Sequence, residues 1–340
     1  MNRVVWVVSE GSPGHASQSE GLVAELASQI ALESVVIQVR PRLNGFARGL
    51  VRWWMGSEGR ALPNRFLVRW LRCQVPPGSP RPDFIVASGG KSVFAARSLA
   101  VRWGAPLVFL GERKPYPSEW FHTVFTPSPC EVGVNDVAVE MIPTRVNREL
   151  AEAAATSWPD RPEGRLWAMV IGGSSATHHF QMSDWDELGA AMNTVARSEG
   201  IRWLVTTSRR TGSEAEIRLR AALASEVVAA AVWWAENPKR EMLVFLGAAE
   251  CVVVTQDSVT MVTEAVASAR PVLVICPEET EFSPASFLPG YFENLEGKKR
   301  IKRMKIRALD RYRHEIHHFQ PVSVPTERTI ATALIPRLGF

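Results

Sequence analysis

The segment Val254-Thr255-Gln256-Asp257-Ser258-Val259 carries the most direct chemistry in this chain. An apolar run stops abruptly at small polar residues, and a helix-period stretch begins at Val259. The unpaired amides of a helix N-terminus therefore fall around Ser258 and Val259, where they and the helix dipole attract an anion. Glu264 lies further along the same helix. A phosphate on the amides with a ribose hydroxyl on this carboxylate would make a nucleotide-diphosphate site. The same residues also suit a plain helix start, with Asp257 or Ser258 as cap and Glu264 in solvent.

Three further turns in the second half have related chemistry. Gly172-Gly173-Ser174-Ser175 follows an apolar run and offers close backbone approach and hydroxyls to a diphosphate. Thr207-Ser208-Arg209-Arg210 follows another run and supplies two guanidiniums, the natural bidentate partners of phosphate. Glu236-Asn237-Pro238 follows a third, and Gln256-Asp257-Ser258 a fourth. Four polar turns at corresponding strand ends outweigh any one of them.

The first half supplies acid–base candidates. Glu10-Gly11-Ser12-Pro13-Gly14-His15 follows the first apolar run, with Glu10 and His15 as possible bases and Gly14 allowing close approach. The turn is not G-x-G-x-x-G, which argues against a dehydrogenase. Gly89-Gly90-Lys91-Ser92 contains G-K-S, but Ile85 stands where a P-loop needs its first glycine. A turn touching an acceptor or a phosphate through Gly89, Gly90 and Lys91 is the functional alternative. Glu112, beside Arg113 and Lys114, is a third possible base, or one member of a surface ion pair.

Other signals lead away from metals and cofactors. Asp184-Trp185-Asp186 spells a metal-binding D-x-D, yet Ser183 and the helix after it make a capping arrangement. His314, His317 and His318 have helical spacing but sit among cations that would repel a metal. No G-x-S-x-G, paired C-x-x-C or H-E-x-x-H occurs. No metal or cofactor is expected.

The elements that must position these turns alternate between strand and helix. Strands are expected at residues 4–8, 35–39, 84–87, 107–110, 124–126 and 137–142, then at 166–171, 203–206, 227–232, 251–255 and 272–276. Helices are expected at 17–30, after Lys91, and at 184–198, 214–224, 240–247 and 259–267. The rhythm breaks over 143–165, where residues 158–164 look like a linker. The fold class is α/β: two Rossmann-like domains with largely parallel sheets facing a central cleft. Their expected bounds are 1–150 and 165–320, with a last helix in 321–340 returning to the first domain.

At 340 residues, with 46% apolar and 22% charged residues, the composition is that of a globular protein, and no run is long enough to span a membrane. Four scattered cysteines point to a reducing cytoplasm. Net charge is only +4, but residues 298–313 carry nine Lys or Arg against one acid. Residues 46–72 mix six arginines with Trp53, Trp54 and Trp70. Both stretches suggest contact with an anionic membrane surface from the cytoplasmic side. Nucleic acid has no recognition motif behind it.

The strings T-T-S-R-R-T from Thr206, E-N-P from Glu236 and V-V-T-x-D-S-V-x-M-V-x-E-A ending at Ala265 resemble the ELM-type mitochondrial fission family, which includes bacterial glycosyltransferase-like proteins. Its first loop, D-G-K-P-G-H, is similar to Glu10-Gly11-Ser12-Pro13-Gly14-His15. Two departures stand out: Ser258 occupies a position where related sugar transferases have glycine, and the family's G-K-P-V is Ala269-Arg270-Pro271-Val272. The resemblance implies a GT-B fold and a metal-independent sugar transfer from a nucleotide-sugar, by default a UDP-sugar, to a lipid-linked or cell-envelope acceptor. Gly172, Gly173, Ser174, Ser175, Thr207, Ser208, Arg209, Arg210, Asn237, Gln256, Asp257, Ser258, Val259 and Glu264 would then serve the donor. His15, Glu10 or Glu112 would be the base, and Gly14, Gly89, Gly90 and Lys91 would serve the acceptor. The alternatives are a non-catalytic membrane-associated adaptor or a nucleotide-sugar epimerase on the same fold.

Overall fold

The computed structural model describes residues 2–56, 60–127, 133–283, 286–312 and 319–340. The chain forms two compact units, one of Met1–Arg145 with Val324–Phe340, the other of Val146–Ser323.

In the first unit, strands β1 (Arg3–Ser9), β2 (Leu32–Gln38), β3 (Phe84–Ser88), β4 (Leu107–Leu110), β5 (Thr123–Thr126) and β6 (Asp136–Ala138) form one parallel sheet in the order β2-β1-β3-β4-β5-β6. A parallel sheet is covered on both faces, so its central strands read as unbroken apolar runs. Alternate residues of β1 accordingly enter two cores. Trp6 and Val8 join Ile85, Leu99 and Trp120, while Val5 and Val7 join Leu22, Leu26, Ile330 and Leu334. Helix α1 (Pro13–Gln29) and the C-terminal helix Thr326–Arg337 serve the second core. The C-terminal helix is held where the Thr144 amide donates to Glu327 Oε1 and Arg328 Nε donates to Glu25 at 3.1 Å.

Helix α1 begins four residues before the apolar period suggests, so Gly14 and His15 lie in its first turn. Pro13 explains this early start, because proline at the first helical position has no amide to leave unpaired. Residues 46–72 fold as helices α2 (Gly45–Met55), capped by Asn44, and α3 (Asn64–Trp70). Helix α4 (Val93–Trp103) follows the Gly89-Gly90 turn. The strand expected over 137–142 is only the three residues of β6.

The second unit opens with α5 (Arg148–Thr156), inside the stretch that reads as a break; Asn147 caps it by accepting from the Leu150 amide at 2.8 Å. There follow β7 (Leu166–Val170), β8 (His178–His179), α6 (Met182–Glu199), β9 (Arg202–Thr206), α7 (Ser213–Ala222) and β10 (Val228–Val232). Then come α8 (Met242–Ala248), β11 (Cys251–Thr255), α9 (Val259–Ala267), β12 (Val272–Cys276), β13 (Glu279–Thr280), α10 (Leu288–Gly297) and β14 (Lys302–Lys305). The main sheet is parallel, in the order β10-β9-β7-β11-β12-β14, and β8 pairs antiparallel with β13. Helices α5 and α8 pack so closely that a Cβ on Gly247 would lie 1.8 Å from the Ala151 carbonyl oxygen.

Strand β14 lies inside the basic stretch 298–313, and several cations there are tied down within the unit. Arg303 Nε donates to Glu296 at 2.8 Å, Lys305 Nζ donates to the Pro277 carbonyl at 2.7 Å, and Arg300 Nη1 donates to the carbonyls of Gln320 and Pro321. Arg307 pairs with Glu278 at 2.9 Å. His314, His317 and His318 lie outside the described residues.

Candidate active site

The second sheet reverses its strand order between β7 and β11. In open α/β sheets such a reversal leaves a ligand crevice at the carboxyl ends of the two strands. The loops leaving β7, β9 and β11 meet there. The Gly172 amide donates to Thr255 Oγ1 at 2.7 Å, and the Gly172 carbonyl accepts from Ser208 Oγ at 3.0 Å and from Thr211 Oγ1. The Gly173 amide donates to Asp257 Oδ2 at 3.1 Å, and Arg210 Nη2 donates to the same oxygen at 2.6 Å. A Cβ on Gly172 would lie 2.1 Å from that oxygen, and one on Gly173 would lie 2.2 Å from the Arg210 carbonyl oxygen. Both positions demand glycine because Asp257 and the Arg210 turn rest directly on the loop backbone.

The Asp257 side chain is fully buried, and its Oδ1 has no partner. Burial pushes its pKa up, while Thr255, Arg210 and the Gly173 amide pull it back. Next to it, Ser258 Oγ accepts from the Met261 amide at 3.4 Å and caps α9. The amides of Val259 and Thr260, too early in the helix for an intrahelical acceptor, open at the helix start. Glu264 is half-buried further along α9, and Arg209 is exposed.

Other donor-side residues hold the surrounding loops. Ser174 Oγ accepts from the Phe180 amide at 3.1 Å, and Ser175 Oγ accepts from the amides of Thr177 and His178. Thr207 Oγ1 donates to Glu216 at 2.6 Å and accepts from the Trp234 amide at 2.8 Å. Gln256 is buried, its amide bonded to the Ile275 carbonyl at 2.8 Å. Asn237 lines a cavity of about 580 Å³ with Arg220, Trp233 and Lys239, to which the glycine loop contributes no lining residue. His178 is buried beside this loop, and burial followed by the charge of Arg210 lowers its pKa to about 4. Asp184 accepts from the Gln181 amide at 2.8 Å in a capping box whose N-cap is Gln181 rather than Ser183, and Asp186 pairs with Arg218 at 2.7 Å.

In the first unit the strand order reverses between β1 and β3, and the turns after these strands also meet. Glu10 Oε1 lies 2.7 Å from His15 Nδ1. The Glu10 carboxylate is nearly buried with its Oε2 unpartnered, whereas the His15 side chain is 36% exposed. A carboxylate on Nδ1 fixes the ring tautomer and leaves the Nε2 lone pair to accept a proton. Ser88 Oγ donates to the His15 carbonyl at 2.6 Å, and Gly89 (φ +77°) packs against the imidazole. The Tyr116 hydroxyl, which sequence reasoning missed, donates to the Gly90 carbonyl at 2.7 Å. Lys91 is exposed. Glu112 Oε1 accepts from the Lys114 amide at 3.0 Å and caps its own turn, while the neighbouring Arg113 grips both oxygens of Asp136.

The family model for mitochondrial fission ELM1 matches residues 13–319. The chain belongs to that family. No curated protein sequence matches it. Among solved structures, this ELM1-family chain is similar to a UDP-GlcNAc 2-epimerase of Methanocaldococcus jannaschii in complex with UDP-GlcNAc and UDP, with TM-score 0.55, 10% identity and 99% and 100% of the two chains covered. It is also similar to a UDP-GlcNAc 2-epimerase of Neisseria meningitidis bound to UDP-GlcNAc, with TM-score 0.54, 11% identity and 99% and 98% covered. A glycosyltransferase of kitacinnamycin matches with TM-score 0.52, 14% identity and 99% and 95% covered. At such identities the likeness is one of fold: two Rossmann-like, largely parallel α/β units of the GT-B type. One departure from the ELM1 family pattern now has a physical meaning. Ala269, where the pattern has glycine, adopts φ +59°, the left-handed conformation that glycine takes without a Cβ penalty.

Proposed function

We propose that the protein is a glycosyltransferase that moves a sugar from a nucleoside-diphosphate donor to an acceptor hydroxyl. The observation that carries this reading is the meeting of Gly172, Gly173, Arg210, Asp257 and the start of α9 where the second sheet reverses. The donor diphosphate is assigned to the α9 amides at Val259 and Thr260 and to the guanidiniums of Arg209 and Arg210. As the bond from the sugar's anomeric carbon to the diphosphate oxygen breaks, negative charge gathers on the leaving group. The helix dipole and the arginines stabilise that charge, the role a metal ion fills in other transferases. Glu264, on the same helix, is assigned to the ribose hydroxyls. His15, oriented by Glu10, is assigned the acceptor proton, which it takes on Nε2 as the acceptor oxygen bonds the anomeric carbon. A UDP-sugar is the first donor to try, because two similar structures hold UDP-GlcNAc. A lipid-linked or cell-envelope saccharide is the proposed acceptor.

Isothermal titration with UDP, ADP, GDP and CDP tests the donor site. One of them binds, the affinity survives EDTA, and Glu264→Ala weakens it by about tenfold, the loss of one to two hydrogen bonds to a charged group. Absence of binding by all four would favour the adaptor reading. Because two of the similar structures are 2-epimerases, a second reading is epimerisation of the same donor. Proton NMR of UDP-GlcNAc in deuterated water, with no acceptor present, separates the two. Deuterium at the sugar C2 marks an epimerase, and an unchanged donor fits a transferase.

A further inference from the structure

Helix α2 has two apolar faces. Val51 and Met55 pack on the core of the first unit. Phe46, Leu50 and Trp53, at i, i+4 and i+7, point outward and are 77%, 52% and 78% exposed. Trp54 on α2 and Val68 and Trp70 on α3 are also exposed. A soluble domain gains nothing from presenting two tryptophans and a phenylalanine on one helix to water.

Charge says what covers this face. Residues 40–72 hold eight arginines against one acid, Glu58. Elsewhere arginines find carboxylates, as Arg113 does in Asp136, Arg218 in Asp186 and Arg303 in Glu296. Around α2 and α3, by contrast, the exposed Arg42, Arg65 and Arg69 form no ion pair among the described residues. Several cations of the other basic stretch, 298–313, are consumed inside their own unit. Exposed aromatic and aliphatic side chains flanked by unpaired arginines suit the boundary between headgroups and acyl chains of an anionic bilayer. No helix among the described residues is long and apolar enough to cross a membrane, so an in-plane helix is the form available.

We propose that α2 and α3 dock the protein on an anionic lipid surface, with Phe46, Leu50 and Trp53 entering the acyl boundary and the exposed Arg65 and Arg69 reading the headgroup phosphates. The opposite side of α2 faces the strand-end site of the same unit. The charges of Arg48 and Arg52 act on Tyr116, whose hydroxyl holds Gly90, and Trp120 Nε1 donates to the Gly56 carbonyl at the end of α2 at 2.6 Å. A lipid-borne acceptor would thus be delivered beside Gly89, Gly90 and His15. That last step rests on the transferase reading; the docking does not.

Co-sedimentation of the full chain with vesicles tests the docking, comparing phosphatidylcholine alone with phosphatidylcholine containing phosphatidylglycerol. The expected result is binding to the anionic vesicles only, a blue shift of tryptophan emission, and loss of binding at high salt. Phe46→Glu with Trp53→Glu reduces partitioning by at least about tenfold while leaving nucleoside-diphosphate titration and circular dichroism unchanged. Arg65→Glu with Arg69→Glu does the same, and Arg311→Glu has no effect. Equal binding to neutral vesicles, or unchanged binding in the Phe46→Glu, Trp53→Glu protein, overturns the proposal. So does a dimer that these two substitutions dissociate without any effect on lipid, which would make a second copy the occupant of this face.

Discussion

A carbon added at position 89 would sit 2.2 Å from Nδ1 of His15, so the missing side chain of Gly89 is what gives the imidazole its room. The ring lies between that glycine and the nearly buried carboxylate of Glu10, 2.7 Å from Nδ1. Two residues far apart in sequence thus set the orientation of one part-exposed imidazole.

Gly89→Ala is expected to push the ring off Glu10. It also forces a non-glycine residue to φ +77°, which costs about 1 kcal/mol. Turnover falls by roughly the 10²-fold lost when a general base is misplaced. Titration of the nucleoside diphosphate in the second unit stays unchanged. A variant with normal turnover would remove His15 from the chemistry.

Arg210→Ala has two separable effects. It strips a guanidinium from a buried carboxylate, destabilising the second unit by about 2 kcal/mol after discounting for the exposure of Arg210. It also lowers nucleoside-diphosphate affinity by about tenfold, the worth of one charge-assisted contact. Adding Asp257→Asn removes the orphaned charge and restores stability in urea titration without restoring affinity. Recovery of both together would mean that Arg210 acts only through Asp257.

Two buried groups, Glu327 in the first unit and His178 in the second, contribute to stability with opposite dependence on pH. Burial raises the Glu327 pKa to about 7, against the Thr144 amide that pulls it down, with the nearby Glu25 adding to the rise. The folded state therefore holds this proton longer than the unfolded chain, and stability falls as pH rises from about 4.5 to about 7. For His178 the folded pKa is lowered to about 4, by burial first and then by the charges of Arg210, His179 and Lys305. Its contribution is complete above about 6.5 and is lost as pH falls toward 4. Each slope integrates to about 3 kcal/mol. Urea unfolding across this range checks both signs: Glu327→Gln, which keeps an oxygen for Thr144, removes the first slope and His178→Phe the second.

Ala269→Gly relieves a left-handed alanine at φ +59° after α9. Glycine at such a helix end is worth about 1 kcal/mol, partly offset by its freer unfolded chain. The urea midpoint rises while the slope stays constant. No gain would mean that the surrounding packing already absorbs the strain.

Most strands and the chemistry of the turns after them were legible because buried parallel strands are continuous apolar runs that end at polar residues. Helix α1 starts ahead of its apolar period because Pro13, and not an apolar residue, opens it. Strand β14 was hidden, since three of its four residues are cationic and apolar pattern is silent there. The contact of Asp257 with Gly173 spans 84 residues, and no local signal could show that the glycines make room for that carboxylate. Tyr116 was missed because its polar tip serves a backbone carbonyl and leaves no spacing to notice.

Strand β14 closes one margin of its sheet with Lys302, Arg303 and Lys305, whereas β10 closes the other with Val228, three alanines and Val232. A strand from another molecule approaching β14 meets cationic side chains, of which Lys302 is exposed, and edge charge of this kind disfavours strand pairing. Strand β10 itself carries no charged side chain. Misassembly by strand addition is therefore steered to one side of the domain, and a lysine at Ala230 or Ala231 is where an engineer would blunt it.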